Sequence, residues 1–78
     1  MSKFAKIIEL EDDNQVLLTY SYNDEEDSDE LQIRTDVKGT IAKITLGFSS
    51  EAEALRAMEN YNLSRAIDFR NQMIKLLS

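Results

Sequence analysis

Six of the seven residues from Asp24 to Glu30 are carboxylates: Asp24, Glu25, Glu26, Asp27, Asp29 and Glu30. Carboxylate oxygens are hard ligands, so calcium coordination is the first chemistry such a run suggests. The run lacks the ordered ligand spacing and central glycine of a helix–loop–helix calcium loop. It therefore implies weak divalent-cation binding at most, with no dedicated metal site. A second acidic group, Glu9, Glu11, Asp12 and Asp13, lies upstream. Paired carboxylates can serve as general acid and base, but these fall largely in turns, open to water, where no cleft would gather them around a substrate.

The remaining routes to catalysis are closed by composition. The chain has no histidine and no cysteine, which removes the usual base for a hydroxyl nucleophile, the thiolate nucleophile and the commonest transition-metal ligands. Gly39 and Gly47 are its only glycines, too few for a glycine-rich phosphate cradle. The expectation is a protein that is not an enzyme and holds no cofactor.

Charge carries more information. The net charge is −6, but residues 1–30 hold ten acids and two lysines while residues 31–78 hold five acids and seven basic residues. Direct nucleic-acid binding relies on clustered lysine and arginine, and anionic membranes repel an acidic chain; both are excluded as partners. An acidic surface instead steers association with a basic one. The expected partner is a protein with a basic surface, met through Glu9, Glu11, Asp12, Asp13, Asp24, Glu25, Glu26, Asp27, Asp29 and Glu30. Tyr61 joins that set as the expected exposed aromatic anchor.

The elements that position these residues follow from periodicity. Phe4 to Leu10 forms a strand with Phe4, Ile8 and Leu10 on one face and Lys6 as the exception. Glu11 to Asn14 is a polar turn. Val16, Leu18, Tyr20 and Tyr22 alternate with Leu17, Thr19 and Ser21 as a second strand. Asn23 to Glu30 should be a mobile acidic loop, kept open by self-repulsion. Leu31, Ile33, Thr35 and Val37 define a third strand, Lys38-Gly39 a tight turn, and Thr40 to Phe48 a fourth strand with Ala42, Ile44, Leu46 and Phe48 inward.

Ser50-Glu51-Ala52-Glu53 matches a capping box. Beyond it Leu55, Met58, Ala66, Phe69, Met73 and Leu77 follow helical spacing, widened by Leu63, Ile67 and Ile74. Asn60-Tyr61-Asn62 interrupts the run with weak helix formers and predicts a bend or break. Arg56, Arg65 and Arg70 fall on the polar side, facing solvent. The result is one α+β domain over residues 1–78: a four-stranded antiparallel β-meander over 1–48, then a helical segment over 49–78 packed on one face, in the order ββββα.

At 78 residues the core is thin, and small domains often add a disulfide, a metal or a partner subunit. With the first two removed, a homo-oligomer built on the helix face is the alternative functional reading. The N-terminus enters alternating residues directly, so no signal peptide is expected, and no segment nears the roughly 20 apolar residues that span a bilayer. A cytoplasmic location is expected.

One stretch resembles known proteins. Ile44-Thr45-Leu46-Gly47-Phe48-Ser49-Ser50-Glu51, Glu53-Ala54-Leu55-Arg56-Ala57-Met58, Tyr61 and Ala66-Ile67-Asp68-Phe69 resemble the strand-to-helix segment of small bacteriophage-encoded proteins of unassigned function. The chain departs from that pattern in having no tryptophan. The resemblance implies a phage or mobile-element origin and, by analogy, an effector that inhibits a host protein, such as an anti-CRISPR or other anti-defence factor acting in the host cytoplasm. No functional residue is carried over from it.

Overall fold

Four strands and two helices follow one another in the computed structural model, which describes residues 4–77. The strands are β1 (Ala5–Glu9), β2 (Gln15–Asn23), β3 (Ser28–Val37) and β4 (Thr40–Phe48); the helices are α1 (Glu51–Asn60) and α2 (Leu63–Leu77). Each strand pairs antiparallel with the next, in the spatial order β1-β2-β3-β4. This is the expected α+β meander with its helices at the C-terminal end. The N-terminal reading on Met1, Ser2 and Lys3 lies outside the described residues.

Alternation sets which side chains enter the core. Val16, Leu18, Leu31 and Ile33 are buried at 1% exposure or less and line the face that Met58, Ala66 and Phe69 of the two helices cover. Thr35 is the buried polar exception on this face, and its hydroxyl donates to the Gln15 carbonyl at 2.9 Å. On the opposite face the pairing aligns Ile7, Leu17, Arg34 and Lys43 in one row across all four strands. Ile7 is 58% exposed there and Ile41 61% exposed, because both helices pack on the other side.

Turn chemistry explains the joints. Val37 pairs with Thr40, so the hairpin has a two-residue loop, and both Lys38 (φ 53°) and Gly39 (φ 86°) take the left-handed conformation that lets such a loop match the strand twist. At the β1–β2 turn Asp12 and Asp13 also have positive φ. There the Leu10 amide donates to the Asn14 carbonyl at 2.7 Å, and the Asn14 side-chain amide donates to Glu11 at 3.0 Å.

Ser50 caps α1 as its spacing predicts, its hydroxyl accepting from the Glu53 amide at 3.2 Å. The Glu53 carboxylate accepts from the Ser49 hydroxyl at 2.8 Å. The expected interruption at residues 60–62 is a full break. Tyr61 is extended, and Asn62 starts a new helix by accepting from the Arg65 amide at 3.0 Å. A side chain that caps a new helix competes with continuation of the old one. The two halves can then cross the sheet separately.

No helix among the described residues is long and apolar enough to cross a membrane.

Candidate functional site

The acidic stretch from Asn23 to Glu30 is not the open loop that its composition suggests. β2 runs through Asn23 and β3 begins at Ser28, so only Asp24 to Asp27 turn. Two effects overcome the carboxylate repulsion. The Asn23 side-chain oxygen accepts from the Glu25 and Glu26 amides at 3.0 and 3.3 Å, a local turn that asparagine favours. The tyrosines of β2 then donate into the carboxylates: Tyr20 to Asp29 at 2.5 Å, and Tyr22 to Asp27. The Asn23 amide also donates to Glu30 at 3.2 Å.

Those phenols show the cost of deprotonation. The hydrogen bond to Asp29, followed by desolvation and nearby negative charge, pushes Tyr20 up to about 12. The bond to Asp27, with desolvation and the surrounding acids, does the same to Tyr22, also to about 12. A phenolate beside a carboxylate would lose the hydrogen bond and gain a repulsion.

Pairing brings further acids to this end. Asp29 lies opposite Phe48 and Glu30 opposite Gly47, so the chain leaves β4 at the hairpin end and enters α1 there. Glu51 and Glu53 occupy the first turn of that helix, and the charge of Glu51 reaches Tyr20. The hairpin end therefore gathers Asp24, Glu25, Glu26, Asp27, Asp29 and Glu30 with Glu51 and Glu53. The sequence division at residue 30 had left those last two in the mildly basic part. Their convergence is a product of strand register.

Glu9, Glu11, Asp12 and Asp13 do not join them. They lie at the other end of β2, whose nine residues span about 27–30 Å at the usual rise per residue. There are two acidic patches. The second adjoins a groove of about 550 Å³ between the β1–β2 turn and α2, walled by Leu10, Leu63 and Ile67. Arg70 also lines it and is not a solvated arginine: its guanidinium donates to the Asn14 side chain and to the Asp36 carbonyl, each at 3.0 Å. It thereby ties α2 to the β1–β2 turn and to the end of β3.

Tyr61 belongs to neither patch. It is half-buried against the core, its phenol donates to the Arg65 carbonyl at 3.3 Å, and burial raises its pKa. Its backbone carbonyl accepts from Lys6 at 2.7 Å, which places it over β1 at the end of α1.

Among the described residues no group of three or more acidic side chains is arranged to hold a metal ion. Comparison with protein-family models, with curated proteins and with solved structures finds no match.

Proposed function

We propose that the protein is a non-enzymatic binding effector that docks on a basic surface of another protein through its hairpin end. The observation that supports this reading is the convergence of the Asp24–Asp27 turn with Glu51 and Glu53 on a hydrogen-bonded hairpin. Charge held in a defined shape steers association and rejects wrong partners, whereas charge on a mobile loop would be averaged. A host protein that normally receives a polyanion has the complementary surface, and occupying that surface would inhibit it. The phage-protein resemblance of residues 44–77 favours the same role, that of an anti-defence factor acting on a nucleic-acid-binding complex.

The test is affinity capture from a candidate host lysate with mass spectrometry of the retained proteins. It is repeated with Asp24, Glu25, Glu26 and Asp27 all changed to lysine. The native protein should retain a basic partner and the variant should lose it, with both circular dichroism spectra alike. Retention of the same partner by the folded variant would sink the proposal.

A further inference from the structure

We propose that β4 is an assembly edge, at which a second copy of this chain adds its own β4 antiparallel and continues the sheet across a two-fold axis at Ile44. The two edges of the sheet differ. β1 is five residues long, while β4 is nine, Thr-Ile-Ala-Lys-Ile-Thr-Leu-Gly-Phe, and lies at the border of the sheet. Natural edges are usually blunted by charge, proline, a bulge or a short span. β4 has one charged residue, Lys43, no proline, and an unbroken register with β3.

The direction of its free backbone groups follows from the hairpin. A two-residue loop makes Val37 and Thr40 a hydrogen-bonded pair, and antiparallel pairing then alternates along the strand. Thr40, Ala42, Ile44, Leu46 and Phe48 point their amides at β3. Ile41, Lys43, Thr45 and Gly47 point theirs away from the sheet, and all four are exposed.

Full overlap of two nine-residue strands puts the centre, Ile44, on the axis. Lys43 then faces Thr45 of the copy, and Ile41 faces Gly47, for about eight backbone hydrogen bonds. The neighbouring register, centred one residue earlier, would set Lys43 against itself and is disfavoured by like charge.

Two further features suit a second copy of this chain. The core is left open along this border: Ile44 and Phe48 are only half-buried and Leu46 is 41% exposed, although all face the helix side. In the symmetric register Ile44 meets Ile44 and Leu46 meets the small Ala42, so the apolar layer closes across the axis. At the strand ends Lys38 comes opposite Ser50 of the copy, next to Glu51 and Glu53 in the first turn of its α1. An exposed cation is thereby set beside an acidic helix start.

Sedimentation of the native protein should show a dimer at about 100 µM that weakens with salt. Thr45→Glu should tighten it and Thr45→Lys loosen it, each by about three- to tenfold, because the new charge faces Lys43 of the copy in two symmetric pairs. Ile44→Cys should form an intermolecular disulfide under mild oxidation, since residues on the axis have Cα atoms about 4.5 Å apart. Circular dichroism verifies that each variant is folded. A strict monomer, or equal dimer strength in both Thr45 variants, would overturn the proposal.

Discussion

Lys6 reaches across the core side of the sheet and donates to the carbonyl of Tyr61 at 2.7 Å. The same ammonium donates to Glu59 at 3.0 Å and Met58 at 3.2 Å. It thereby adds a donor to carbonyls at the end of α1, of which that of Met58 also accepts from the Tyr61 amide at 3.2 Å, and places a positive charge at the negative end of the helix dipole. No basic residue of α1 itself occupies that last turn.

Lys6→Met keeps the aliphatic stem and removes the donor. A charged hydrogen-bond group lost from a half-buried site costs about 1–3 kcal/mol, and each kcal/mol lowers the melting temperature of a domain this size by about 4–8 °C. Urea and thermal unfolding should both record the loss. Native stability in this variant would mean that water serves those carbonyls equally well.

Arg70→Ala should loosen one end of the molecule and spare the other. It frees the Asn14 side chain and the Asp36 carbonyl at a cost of about 1 kcal/mol. Hydrogen exchange should accelerate at Leu10 and Asn14, whose amides close the β1–β2 turn. The amides of Glu25 and Glu26, at the opposite end, should exchange as before; uniform acceleration would show a global effect instead.

Tyrosine ionisation reports on the hairpin end. The folded pKa values of Tyr20 and Tyr22, about 12, lie above the ordinary phenol value of 10.0. Their contribution to stability is thus complete below about pH 10 and declines as pH rises toward 12. Absorbance titration near the phenolate band should show all three tyrosines ionising late, with Tyr20 and Tyr22 the latest. Asp29→Asn should move Tyr20 back toward 10 and lower Tyr22 much less, since Asp29 acts on Tyr22 only through its charge; an unmoved Tyr20 would show that its hydrogen bond is not the cause.

Lys38→Asn should stabilise the β3–β4 hairpin. Lys38 has φ 53°, a conformation that asparagine adopts more readily than lysine, and Asn-Gly is the favoured pair for this loop. A gain of about 0.5 kcal/mol in denaturant unfolding is expected. Loss of stability in dilute, monomeric protein would instead reveal that the lysine makes a favourable charge interaction within one chain.

Features decided by neighbours along the chain were legible from residue order. β4 was expected from Thr40 to Phe48 and has those bounds, because its alternation and the Lys38-Gly39 turn are local signals. Ser50 and Glu53 marked the start of α1 for the same reason. The stretch from Asn23 to Glu30 misled. Its composition predicts repulsion and openness, but Asp29 and Glu30 pair with β4, and the tyrosine hydroxyls of β2 neutralise part of the cost. Lys6 stood out as a break in the alternation of β1, and its reason lies more than fifty residues away at the end of α1. Arg70, placed by its spacing on a polar helix face, is held by the β1–β2 turn and the end of β3 instead.

For this protein the sequence by itself determined a chain without histidine or cysteine, an alternating strand pattern, an acidic first part and a broken C-terminal helical run. The meander order already pointed to two acidic patches at opposite ends of β2; tertiary structure alone decided that Glu51 and Glu53 join the one at the hairpin. It also decided that β4 and not β1 presents the long open edge. Periodicity records which way a side chain points relative to its neighbours along the chain. Which charges meet depends on strand register and on where α1 enters, and those are set by packing between residues far apart in sequence.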